Sequence, residues 1–456
     1  MKIAKIYILI VSLVFSQSSF AKESSKPPAS LALNPTTIQT QLLKNNISVL
    51  LALNSVHQAK YEVNIARGHL LPSLNLGALL SFTGGGFIQS AIDFLVPFLL
   101  PSNWANYFTE KNLFEAEKLS YKVIQLNTYG SALSLYFTIL ADVQVQQVFQ
   151  QQYLDLQEIY ELQKRKANLG TVPIADLLQA QAQAQMAGVR SSQMVELNKQ
   201  EIASMRKVLA LPLKTAISLE FVDSKASPWE FESLHSTIKQ VNSVSVELAQ
   251  FYYLIKASES QVWSKSFGWI NGASIVGRSN GNSNASFDNM AFVSGINLSF
   301  ATYPQIQLSQ SQVEAMKLQR EELYLENTRL IESAFSSLNE SKMQLDLATQ
   351  AENQMARVYQ IKSQEYDQGS ETLTNVLVAR NQMSEASIAR VKANLDVNLQ
   401  RTLLHRALIT GDFKSIKGCS SSAKMPVQHK QQGPIERFFE PKPPEPKYPS
   451  LDQICR

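Results

Sequence analysis

The chain writes one passage twice. Residues 160–212 and 359–411 align without a gap at an offset of 199 residues, which sets Tyr160 on Tyr359, Gly170 on Gly369, Leu178 on Leu377, Ala180 on Ala379, Gln183 on Gln382, Ala187 on Ala386 and Leu209 on Leu408. Two copies of so long a unit do not stack into a solenoid, which needs at least about three short repeats. They predict a pseudo-symmetric fold that holds one unit twice, so the question becomes what the unit is.

The unit reads the same way in both halves. From Pro35 to about Leu70 the apolar residues keep a helical period, with Thr37 a candidate cap. At Pro72 the period changes to two. Leu74, Leu76, Ala78, Leu80 and Phe82 share one face of a strand and Ser73, Asn75, Gly77 and Ser81 the other. Thr83–Gly86 makes a turn, and a second alternating strand runs to Leu100. A helix from about Asn103 to Leu169 carries a heptad at Leu119, Val123, Leu126, Gly130, Leu133, Phe137 and Leu140, and at 1.5 Å per residue it is roughly 100 Å long. After Gly170 a helix returns to about Ala210. The second copy gives a helix from about Phe231 to Lys265, strands within residues 267–302, a helix from about Ile306 to Gln368, the Gly369 turn and a returning helix.

This divides the chain into a first repeat at 35–212 with a hairpin at 73–100, a linker at 213–228, and a second repeat at 229–413 with a hairpin at 267–302. Residues 22–34 read as a loose lead-in, and the linker contains one candidate short strand. The expected class is mainly α with a small β part, built from long antiparallel helical hairpins.

The four strands have the length of tilted outer-membrane strands, about 9–11 residues, with one apolar face and one small, polar face. A half-buried soluble sheet has the same alternation. Two features favour lipid: no further strands are present to build a sandwich, and the flanking helices are too long to fold back over a hairpin. Four strands do not close a barrel and open edges do not survive in lipid. If these strands span a membrane, several chains must pool them, eight from two chains or twelve from three.

The N-terminus agrees with export. Lys2 and Lys5, an apolar core from Ile6 to Phe15 and Ser-Phe-Ala at 19–21 form a signal peptide over residues 1–21. Its removal lowers the formal net charge from +4 to +2, and no basic patch points to nucleic acid. Charged residues are only 18% of the chain, below the usual ~25%, with Gln, Asn and Ser in their place. Residues 414–456 form a Pro- and Lys-rich tail with both cysteines, Cys419 and Cys455. An exported chain permits a disulfide between them, and spacing alone does not establish one. His57, His69, His235, His405 and His429 are scattered without metal-ligand spacing, no nucleophile–His–acid set is present, and Gly84–Gly86 lacks the Lys of a phosphate loop. Neither an enzyme nor a cofactor is expected. Trp104, Tyr107 and Tyr303 flank the strand segments, where interfacial aromatics are expected and core packing is the alternative.

The passages ARGHLLPSLNLG at 66–77, SGINLSFATYP at 294–304, LGTVPIADLLQAQAQ and QGSETLTNVLVARNQ, in this order and duplicated, resemble the TolC family of outer-membrane efflux and secretion channels. The resemblance covers about residues 35–413. It implies a homotrimer whose pooled strands form one twelve-stranded barrel in outer-membrane lipid, and whose helices form an α-barrel across the periplasm. It places Gly170 and Gly369 at a periplasmic tip that meets an inner-membrane transporter and a periplasmic adaptor (membrane fusion) protein. In this family two acidic residues after the second-copy Gly narrow the entrance; here those positions are Asn375 and Val378, so an acidic ring is not expected. A Tyr–Asp latch is expected at Tyr366 and Asp176, and the position of a further Arg tether holds Glu371. The implied function is a passive exit duct of a tripartite efflux system. The alternatives are the outer-membrane component of type I protein secretion and, from another class, a periplasmic coiled-coil structural or adaptor protein.

Overall fold

The computed structural model describes residues 30–71, 98, 100–222, 224, 226–267, 274–277, 290–293 and 301–416. The chain is mainly helical. In order it forms β1 (Ser30–Leu33), α1 (Pro35–Asn45), α2 (Ile47–Leu70), α3 (Pro101–Asn168), α4 (Ile174–Val208) and β2 (Ala216–Leu219). A 3-10 turn at Pro228–Phe231 leads into α5 (Leu234–Val244), α6 (Val246–Phe267), β3 (Ser274–Gly277), β4 (Met290–Val293), α7 (Thr302–Asp367) and α8 (Leu373–Leu408), and a last 3-10 turn is Gly411–Ser415. At 68 and 66 residues, α3 and α7 are each roughly 100 Å long. The first expected hairpin, 73–100, lies almost wholly outside the described residues, as do residues 1–21, Cys419 and Cys455. Within the second, β3 and β4 pair antiparallel, Ser274 opposite Val293.

Several boundaries differ from expectation. Residues 30–33 are not a loose lead-in: β1 pairs in parallel with β2, Leu31 opposite Ile217, and Leu33 is fully buried. The cap of α1 is Asn34, whose Oδ1 accepts from Thr37 N–H at 2.8 Å, while Thr37 Oγ1 accepts from Asn34 N–H at 2.9 Å. Thr37 is thus the reciprocal partner in a capping box. The helix expected over 35–70 is two helices. Asn46 is extended, its Oδ1 accepts from Val49 N–H at 3.1 Å to start α2, and its Nδ2 donates to Val208 O at 2.7 Å. The helix expected over 231–265 breaks likewise at Ser245, whose Oγ accepts from Leu248 N–H at 3.3 Å. Asn46 and Ser245 stand 199 residues apart, as do Pro35 and Leu234, Asn168 and Asp367, and Ile174 and Leu373. Among the described residues, two non-glycine residues take the left-handed conformation, Ala210 (φ +49°) and Ile409 (φ +52°), and they too are 199 apart.

α3 packs on α2, α4, α6 and α8, and α7 on α6 and α8. The largest core surrounds the middle of α3, where Leu126, Tyr129, Leu133 and Tyr136 meet α1, α2, β1 and Phe413. The heptad glycine belongs here: a Cβ at Gly130 would touch the Phe413 ring at 3.8 Å. A second core joins Trp229 to Ile331 and Leu338 of α7 and to Leu404 and Leu408 of α8. Beside it Glu230, 1% exposed, is held by Lys342 of α7 and by Arg401 of α8 at 2.9 Å, and Arg401 Nη1 reaches Ser224 O at 2.9 Å. Burial pushes the Glu230 carboxyl up, and the two cations outweigh this and hold it below the usual range. Among the described residues, no helix is long and apolar enough to cross a membrane.

Candidate gate at the paired helix turns

Both long helices end in the same turn. At the end of α3, Gly170 (φ +70°) donates to Ala167 O at 2.9 Å and Thr171 N–H donates to Lys166 O at 3.0 Å. At the end of α7, Gly369 (φ +79°) donates to Tyr366 O at 3.0 Å and Ser370 N–H to Glu365 O at 2.9 Å. This is the Schellman arrangement, in which a left-handed residue satisfies the last helical carbonyls. The space beside each glycine is open, so the requirement is conformational rather than steric.

Beyond the turns the two copies differ. Asp176 and Asn375 stand 199 residues apart, each six residues after its glycine. Asp176 lies in the first turn of α4, where its N–H donates to Pro173 O at 3.1 Å. Asn375 lies in the first turn of α8, which Thr372 caps, and its Nδ2 donates to Glu371 Oε1 at 2.7 Å. Glu371 also accepts from Thr372 N–H at 2.8 Å and forms an ion pair with Lys362. Lys362, then Asn375 and the Thr372 N–H, pull the Glu371 carboxyl down to about 2. Glu371 therefore braces its own turn instead of reaching across as an Arg would. Asn375 and Val378 are exposed, and Val378 presents an apolar surface.

The Tyr366–Asp176 latch is not made. The Tyr366 hydroxyl accepts from Gln163 Nε2 at 2.6 Å, and Lys166 Nζ lies 4.4 Å from the Tyr366 ring centroid. Tyr366 rests against the last two turns of α3, whereas Asp176 lies past the turn on α4. Gln163 is fully buried, seven residues after buried Leu156. That heptad spacing is the sequence signal that marks Gln163 as an inward position. Behind the tip, Leu156, Ala180 and Ala184 pack on Leu373 and Leu377. Arg380, 2% exposed, bonds Asp155 Oδ2 at 2.7 Å and Ser384 Oγ at 2.6 Å, and its guanidinium lies 5.6 Å from the Tyr359 ring centroid. Burial, then the Asp155 charge, raises the Tyr359 phenol. Gln152 Nε2 donates to Asn381 Oδ1 at 2.7 Å. These contacts join α3 of the first copy to α8 of the second. Sequence reading missed them because a lone Arg or Asp on a helix gives no sign of its partner.

The outer faces are apolar and bare. Leu178 is 59% exposed on α4, while Leu377, its counterpart on α8, is 3% exposed. On α7, Leu325 is 59% exposed, while its counterpart Leu126 on α3 is 1% exposed.

Among the described residues, no cluster of His, Cys, Asp or Glu is placed to hold a metal. No protein-family model and no curated protein matches the sequence. Solved structures do match. The CmeC outer membrane channel of Campylobacter jejuni is 16% identical, with a TM-score of 0.69 over 86% of this chain and 90% of that one. The outer membrane protein VceC of Vibrio cholerae is 12% identical, with a TM-score of 0.65 over 83% of this chain and 96% of that one. The open state of the MtrE outer membrane channel of Neisseria gonorrhoeae is 12% identical, with a TM-score of 0.61 over 82% of this chain and 88% of that one. With its long packed helices, small sheets and paired glycine turns, the chain has, over most of its length, the fold of the TolC-family outer-membrane channels.

Proposed function

We propose that this chain is a protomer of a trimeric exit duct in the outer membrane. In this reading, residues 35–212 and 229–413 are structural repeats, and the hairpins at 73–100 and 267–302 from three chains make one twelve-stranded barrel. The helices form an α-barrel through the periplasm. A periplasmic adaptor and an inner-membrane transporter engage the tip, and substrates of an efflux system pass through. The chain does no chemistry; energy comes from the transporter.

The observation that carries the reading is the unequal exposure of equivalent positions. Leu178 and Leu325 are bare where Leu377 and Leu126 are buried. If three copies close a ring, the free face of α7 meets the neighbour's α2 and α4, as α3 meets α6 and α8 within one chain. Each such Leu is then covered, at about 1.5–3 kcal/mol apiece. The fold shared with outer membrane channels supports the same reading.

At the tip, Gln163 and Tyr366 fasten the two turns. A gate that holds by packing and this bond, without an acidic ring, fits Asn375 and Val378 at the entrance positions. The test is fractionation, mass and conductance. An outer-membrane trimer that conducts in planar bilayers is expected, with baseline conductance raised by Tyr366→Phe and Gln163→Ala and unchanged by Asp176→Ala. A monomer released from the periplasm by osmotic shock, without conductance, would instead match a coiled-coil structural or adaptor protein.

A further inference from the structure

The seam between α3 and α4 is a ladder of polar rungs. Ser191 Oγ donates to Gln150 Oε1 at 2.9 Å, and one turn back along α3 Asn198 Nδ2 donates to Gln146 Oε1. One further turn along each helix lie Asp142 and Glu201, whose carboxyls are in hydrogen-bonding contact.

This rung differs from the others in kind. An amide or a hydroxyl supplies a donor, whereas two ionised carboxylates supply none and repel each other. Glu201 Oε2 is buried, and no donor of the described residues reaches it. Neither carboxyl forms an ion pair among the described residues. The cations of the surrounding elements are engaged elsewhere. Arg390 of α8, which shares a cleft with Ala141 and Gln144, is paired with Glu352 of α7. Arg206, five residues along α4 from Glu201, gives its Nε to Thr215 O at 3.2 Å. Among the described residues Asp142 is the charge that bears on Glu201. A proton between the two carboxyls is what satisfies such a rung. Burial first, then the hydrogen bond to Asp142 and its charge, push the Glu201 carboxyl up to about 8. At the positions 199 residues on, the α7–α8 seam has Ser341 and Gln400, which do not titrate.

We propose that Asp142 and Glu201 share one proton that closes the α3–α4 seam, and that its release above neutral pH loosens this hairpin and leaves the α7–α8 hairpin as it is. The folded chain holds a proton that the unfolded chain gives up near the ordinary value of about 4.3. The stabilisation is therefore full below that value and lost as pH rises through about 8. The fastener works within one chain and needs neither a trimer nor a membrane.

The test is infrared difference spectroscopy and amide hydrogen exchange on the full chain in detergent from about pH 6 to 10, with exchange corrected for its intrinsic rise with pH. We expect a protonated-carboxyl band that is lost with a midpoint near 8 and is absent in Glu201→Gln. Protection of residues 195–203 should fall at least five-fold across the range in the wild type and stay level in Glu201→Gln. Residues 394–402 should stay level in both. Asp142→Asn supplies a donor and removes the repelling charge, so it should lower the midpoint of the band by at least one pH unit. A band unchanged in Glu201→Gln, or a midpoint unmoved in Asp142→Asn, overturns the shared proton. Loss of the band without loss of protection, or equal loss in both seams, overturns the fastener.

Discussion

Helix bounds recur 199 residues apart in this chain, and the two sets of helices differ in what fastens them. In the first hairpin, α3 and α4 are joined by neutral polar pairs: Asn198 with Gln146, and Ser191 with Gln150 at 2.9 Å. At the positions of Asn198 and Gln146, the second hairpin has Val397 and Leu345, which pack in the Trp229 core. At the tip, the first turn leaves Leu169, Ile174 and Leu178 bare, while Leu373 and Leu377 of the second are buried. One backbone thus accepts either kind of contact because helix length, capping and turn conformation are set locally, while the side chains between helices answer to whichever neighbour is present. The second hairpin finds its neighbour, α3, within the chain. In the trimer reading, the first finds its neighbour on another copy.

The comparison can be broken at four places, from the largest effect to the smallest. Arg380→Ala leaves Asp155 without its cation in a mostly buried site and should destabilise by about 3–5 kcal/mol. The counterparts of Asp155 and Arg380 are Gln354 and Gln181, so the double variant Asp155→Gln/Arg380→Gln, which gives this junction the other's chemistry, should recover most of that loss in thermal unfolding. Leu377→Ala should cost about 2–5 kcal/mol. Leu178→Ala should leave the unfolding of the dissociated chain within about 0.5 kcal/mol, as at a surface position, and weaken self-association, which analytical ultracentrifugation in detergent reads. Equal unfolding shifts for the two would remove the distinction between inner and outer hairpin. Third, Asn198→Ala should cost about 1–3 kcal/mol by stranding Gln146, while Gln146→Leu/Asn198→Val should be neutral or stabilising.

The smallest effect concerns protons. Glu371 titrates near 2 in the folded chain, below the ordinary carboxylate value of about 4.3. A depressed value means that its contribution is present above the ordinary pKa and lost as pH falls through the folded one. The stability gap between wild type and Glu371→Gln should therefore be flat from pH 8 to about 5, and close between about 4.3 and 2. Chemical denaturation across that range checks it, and a gap that changes between pH 8 and 6 would point to another group.

Much of this was legible in the sequence, and the reasons differ by element. Long helices announce themselves by period, so α3 and α7 were placed within a few residues at each end, and Gly170 and Gly369 marked their turns because only glycine takes that conformation freely. The breaks at Asn46 and Ser245 were missed, since one extended residue does not disturb an apolar period. β1 was missed because its four residues become a strand only against β2, 186 residues away. The site was less legible than the fold. Tyr366 lies three residues before the Gly369 turn, as its sequence position requires, but its partner follows from which turn of α3 lies opposite, and that depends on helix packing geometry. Gln163 therefore replaced Asp176 as the bonded residue.

The matched bounds of α3 and α7 limit how such a chain can change. Deleting one residue from either helix shortens it by about 1.5 Å and rotates everything beyond by about 100°. The distal contacts would lose register and the two glycine turns would no longer lie level. Substitutions carry no such penalty. A deletion within α3 or α7 should therefore disturb the fold far more than a substitution at the same position, so this architecture constrains the spacing of its caps and turns more tightly than the side chains between them.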